Sequence, residues 1–161
     1  METPSHTDDQ LLLTSWLAVI GMLTMYWSPV ERHIDQCVHL LHIGKSGNSR
    51  KPTRLGSKLE FVEKNIPAGV IAPKDMEGLL KLTKTTVQIR DVCVHGVLNA
   101  YDEHRIEIGK IDSRSEKHLI EVFTIDRARL EKSATALSSL QAQWGAISSA
   151  LLKQANARVE T

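Results

Sequence analysis

The chain has 161 residues, 42% of them hydrophobic and 24% charged, which supplies a core for one domain and leaves too little polar excess for disorder. Lys and Arg number 20 against 19 Asp and Glu, a net charge of +1, which excludes a globally basic coat protein for nucleic acid and a strongly acidic tail. With two cysteines far apart, Cys37 and Cys93, a disulfide framework and a four-cysteine zinc site are excluded, and 4% aromatics leave little material for stacking single-stranded bases.

Residues 1–7 read as a tail, and Asp8 or Asp9 can cap a helix that begins at Gln10. Residues 11–30 carry no charge and are long enough to span a bilayer. They also contain Thr14, Ser15, Thr24 and Ser28, and acids rather than bases precede them, namely Glu2, Asp8 and Asp9. Membrane spans and signal peptides favour basic flanks, so this stretch is expected to be a buried core helix rather than an anchor. Pro29 lacks an amide donor and disfavours helical geometry at Ser28, which predicts a kink or a break there, with Ser28 capping a second helix to about residue 43.

Residues 44–58 have a loop composition and are locally basic. Lys45, Arg50, Lys51, Arg54 and Lys58 occur with no acid between Asp35 and Glu60. A short helix over 58–64 and a connection bounded by Pro67 and Pro73 follow. Asp75 looks like the cap of a third main helix over 76–95, closed by Gly96 as a left-handed C-cap. Residues 104–111 and 118–125 alternate or are β-branched, and 112–117 are polar, which predicts a β-hairpin. Thr124 is placed to cap a last helix. Its apolar positions Leu130, Ala134, Leu137, Leu140, Trp144, Ile147 and Leu151 recur every three or four residues and form one stripe.

The stretch Ile89-Arg90-Asp91-Val92-Cys93-Val94-His95-Gly96 carries the chemistry. Asp91 and His95 are four apart on one helix face, so the carboxylate can orient the imidazole. His95 falls in the last turn, where the helix dipole favours the imidazolium. Arg90 is about 140° round the helix from His95, within reach of its long stem. A fixed guanidinium beside a histidine suits phosphoryl chemistry: the histidine moves a hydroxyl or leaving-group proton, and the arginine holds charge on the phosphate. No cofactor or metal enters that scheme.

These residues resemble the R-x4-6-H motif of the HEPN superfamily (higher eukaryotes and prokaryotes nucleotide-binding). Requiring four intervening residues and a following glycine lowers the chance expectation to ~0.02 per chain of this composition. Trp27, Val30 and Glu31 late in the first helical region, and Lys58, Leu59 and Phe61 in the middle, resemble the family pattern as well. The resemblance implies a mainly α fold: a HEPN-like helical bundle in one domain over 8–155, with a β-hairpin inserted before the last long helix. It implies a cytoplasmic homodimer that binds RNA, and a metal-independent endoribonuclease whose Arg90, Asp91 and His95 line a cleft shared by two copies. Lys45, Arg50, Lys51, Arg54 and Lys58 would then contact RNA phosphates. The alternatives are a non-catalytic HEPN-like scaffold or interaction module with an antitoxin-like protein partner, and a small membrane-anchored helical protein resting on residues 11–30.

Weaker signals are read as structural. His33 with Cys37, and His39 with His42, have zinc-pair spacing, but further ligands are missing and Cys37 falls on the apolar face. Gly44-Lys45-Ser46 echoes a phosphate-binding loop, yet His39 stands where its first glycine belongs. Cys93 reads as a buried filler and Trp144 as core.

Overall fold

The computed structural model describes residues 6–43, 50–111 and 120–159. Among them are four helices and three strands: α1 (His6–Ile43), α2 (Leu55–Asn65), α3 (Pro73–His95), β1 (Val97–Tyr101), β2 (Arg105–Ile111), β3 (Ile120–Asp126) and α4 (Arg127–Val159). The protein is mainly helical, with one small antiparallel sheet of order β1-β2-β3. Residues 1–5 of the expected tail over 1–7, residues 44–49 of the expected loop with Lys45, and the whole 112–117 connector with 118–119 lie outside the described residues. The first helix begins at His6 rather than Gln10, so residues 6 and 7 are helical and Asp8 and Asp9 stand inside its first turn rather than capping it.

The expected break at Ser28 is absent: α1 is one helix with Pro29 inside it. Proline removes one donor, so a single rung of the ladder is lost, the one from position 29 to the Met25 carbonyl. Burial of Trp27, Val30 and Ile34 on both sides of that rung holds the helix together. Asp75 is not a cap either. Pro73 takes the first helical position, where a missing N–H costs nothing, and the Ala72 carbonyl accepts the amides of Asp75 and Met76. The middle helix starts at Leu55 rather than Lys58, so residues 55–57 of the expected loop are helical.

The chain falls into two compact units: Met1–Tyr26 with Thr85–Leu137, and Trp27–Lys84 with Ser138–Thr161. The second unit is helical. Its core gathers Trp27, Ile34, Val38, Leu59, Leu79 and the distal half of the α4 stripe, Leu140, Trp144, Ile147 and Leu151. Trp144 Nε1 donates to Thr83 Oγ1 at 3.0 Å, and that hydroxyl donates to the Leu79 carbonyl at 2.7 Å, so two buried polar groups satisfy each other.

The first unit holds the sheet. The predicted hairpin is β2–β3, in register from Arg105↔Asp126 to Ile111↔Ile120. Sequence reading missed β1, which has no alternation, and placed a helix cap at Thr124, which is a β3 residue paired with Glu107. Ile106, Ile108 and Ile125 share the covered face and are buried. Val97, Val122, Ile111 and Ile120 share the opposite, exposed face. In the β1–β2 turn, the Asp102 carboxylate accepts the amides of His104 and Arg105 and the Arg105 side chain. Those bonds hold its pKa below the usual value.

Candidate functional site

Arg90, Asp91 and His95 all lie in the last two turns of α3, within the first unit. Gly96 ends the helix, but not as a left-handed cap, since Gly69 is the one positive-φ glycine among the described residues. Its requirement is space. A Cβ there would sit 2.1 Å from Ile108 Cγ2 and 2.6 Å from the Val92 carbonyl oxygen. The Gly96 amide donates to that same carbonyl at 2.9 Å. The motif is therefore set against β2 by a contact that no side chain at position 96 would permit.

Asp91 turns to the arginine rather than to the histidine. Arg90 Nη1 donates to Asp91 Oδ1 at 2.9 Å, and no Asp91–His95 bond exists among the described residues. Neighbours on a helix point about 100° apart, so this contact uses the length of the arginine stem. The Arg90 side chain is mostly covered, and its Nε is buried with no hydrogen-bond acceptor among the described residues. An unsatisfied buried donor of this kind costs ~1–3 kcal/mol, which an incoming oxyanion would recover. His95 is exposed, with its imidazole open to solvent. Cys93, between them, has its thiol pushed up to about 11 by burial, which keeps it protonated and non-nucleophilic near neutrality.

Asp91 also lines a cleft of about 460 Å³ whose other charged walls are Lys110, Glu121 and Arg129, with Phe123 and Ile125 among its apolar ones. Lys110 and Glu121 are cross-strand partners in β2 and β3. The cleft brings two charges of each sign together beside an aromatic edge. Neither Arg90 nor His95 lines it. Sequence reading could not find this cleft, because its walls come from three segments with no common spacing.

The basic stretch belongs to the second unit. Arg50, Lys51 and Arg54 are exposed. Lys58 is not a free cation: its ammonium is mostly covered and forms an ion pair with Asp35. Cys37 is a core residue whose thiol is pushed up to about 12, chiefly by burial. His33 Nδ1 lies 3.3 Å from Ser148 Oγ, and its ring covers Gly145. Trp27 Nε1 donates to Glu31 Oε2 at 3.2 Å, which explains the spacing of those two residues. In comparisons with protein-family models, curated proteins and solved structures, the chain matches none.

Proposed function

We propose that the chain is an RNA-binding, HEPN-like domain that cleaves RNA without a metal, as a cytoplasmic homodimer whose two motifs form one composite site. The observation that supports this reading is the end of α3. One helix presents a solvent-open imidazole, His95, one turn beyond a guanidinium that retains an unsatisfied donor, Arg90. RNA carries its own nucleophile. The 2′-hydroxyl attacks the adjacent phosphorus, the 5′-oxygen leaves, and a 2′,3′-cyclic phosphate forms. His95 of one copy takes the 2′-hydroxyl proton and His95 of the other protonates the 5′-oxygen, so two copies supply both the base and the acid. Arg90 binds the non-bridging oxygens as charge develops. Asp91 positions the guanidinium through the bond at 2.9 Å. Exposed Arg50, Lys51 and Arg54 add phosphate affinity that weakens with salt.

The test is incubation of the purified chain with labelled RNA in EDTA, against His95→Ala and Arg90→Ala. The reading expects cleavage by the wild type and a loss of ~10²-fold or more in His95→Ala. Equal rates, or no cleavage by any protein, would overturn it. The ion pair on Arg90 favours a second reading, a non-catalytic module, because Asp91 already neutralises the guanidinium. In that case binding of an antitoxin-like partner protein would survive Arg90→Ala.

A further inference from the structure

The part of α1 in the first unit is apolar and largely uncovered. By length and composition α1 could cross a membrane, yet only 17% of its most apolar window is buried. The expected buried helix exists as one stripe through Trp16 and Leu23. On the opposite side lie Leu11, Thr14, Ala18, Gly21 and Met25, separated by three, four, three and four residues. A 3.5-residue repeat is the seam of a helix that packs along another helix. Thr14, Ala18 and Gly21 are small enough for close approach, and nothing stands within 4 Å of a Cβ built on Gly21. Leu17, Met22 and Tyr26 flank the seam.

We infer that this face binds the same face of a second copy of the chain. Leu11 is 65% exposed, Leu17 55%, Met22 49%, Met25 77% and Tyr26 53%. At roughly 200 Å² per large side chain, that is at most ~600 Å² on one copy and ~1,200 Å² for a symmetric pair, a bound at the lower edge of stable interfaces because Leu17 and Tyr26 stand on opposite flanks of the seam. Covering the face leaves no charge desolvated, because residues 10–30 have none. The Thr14 hydroxyl is satisfied already, donating to the Gln10 carbonyl at 2.8 Å.

A lipid surface fits less well. The other side of the same stretch holds polar groups in place. Trp16 Nε1 donates to the Asp102 carbonyl at 2.8 Å, and the Arg127 guanidinium stacks 4.8 Å from the Trp16 ring and donates to Ser15 Oγ at 2.8 Å. A guanidinium fixed at mid-stretch opposes immersion in hydrocarbon. The flanking residues Asp8 and Asp9 are acids, which anionic headgroups repel.

The inference assigns a face to the homodimer of the proposed function and rests on that reading for the dimer alone: a monomeric wild type overturns both, a dimer indifferent to the α1 charges overturns only the face, and a dimer that does not cleave RNA overturns only the Arg90–His95 chemistry. Sedimentation of the full chain should give twice its 18.0 kDa mass. Ala18→Glu and Met25→Glu should each keep the helical circular dichroism and raise the dissociation constant ~30-fold or more, since each buries an unpaired charge. Ala18→Cys should cross-link to its mate on oxidation. Val122→Glu, on the exposed sheet face, should leave the mass unchanged. A wild type that stays monomeric at ~50 µM, a dimer indifferent to both α1 charges, or one broken by Val122→Glu would overturn the inference. So would a monomer that floats with phosphatidylcholine vesicles.

Discussion

The two halves of α1 invert the usual relation between hydropathy and burial. Before Trp27 the helix has no charge after Asp9, yet Trp16 and Leu23 alone are fully covered among its described residues. From Trp27 onward it carries Glu31, Arg32 and Asp35, yet Trp27, Val30, Ile34, Cys37 and Val38 are buried. Burial follows which residues recur on one face, not how apolar the whole run is. The second half has a polar side and a packed side. The first half beyond Asp9 has no charged side, and its large apolar residues point in several directions, so part of it stays uncovered within one chain.

The same contrast runs through the two units, each of which buries a tryptophan that donates through Nε1. Removing the one in the helical unit should cost most. Trp144→Ala deletes a fully buried ring and leaves the buried Thr83 Oγ1 without its donor, for ~3–5 kcal/mol of stability in urea unfolding. A loss under ~1 kcal/mol would show that the second unit is not the tightly packed one.

The thiols give a pH-dependent arm. Cys37 stays protonated in the fold up to about 12, against 9.0 for an ordinary thiol. Below pH 9 both folded and unfolded chains hold the proton, so its contribution is intact. Above pH 9 only the folded chain does, and stability should fall by ~1.4 kcal/mol per unit as pH rises toward the folded value. Thermal melts at pH 8 and 10.5 should show a smaller drop in Cys37→Ala than in the wild type.

In the first unit, Gly96→Ala drives a methyl into Ile108 and the Val92 carbonyl and should cost ~1–3 kcal/mol. If α3 shifts to accommodate it, the RNA binding proposed for Arg90 should weaken in step, read by fluorescence anisotropy. Trp16→Phe removes one bond to the Asp102 carbonyl, worth ~1 kcal/mol by the same unfolding assay. Smallest is Lys58→Met, which breaks a partly exposed ion pair with Asp35 and should move the midpoint by less than ~1 kcal/mol.

The last helix was legible because all but one of its stripe residues are fully buried, Ala134 being half-covered, so a single period described them. The hairpin was legible from alternation. Three features were not. Pro29 reads locally as a stop, but burial on both sides of it outweighs one missing donor. The first strand, Val97-Leu98-Asn99-Ala100-Tyr101, carries a register shift between Leu98 and Ala100, which erases the period that identifies strands. Arg90, Asp91 and His95 were visible as a motif, but their pairing was not: spacing favoured Asp91 with His95, and the arginine stem claimed the carboxylate. Gly96 marks the helix end in the sequence, but its requirement is space rather than a left-handed conformation, and only the tertiary structure brings Ile108 against it.

Pro29 leaves a last consequence. The rung it removes ends at Met25, one residue before the boundary between the two units. Opening the turn there breaks one fewer bond than opening any other turn of α1. Thirty-eight residues of continuous helix thus contain a place where fraying can start from the inside, and amide exchange should be read along α1 as two protected stretches rather than one.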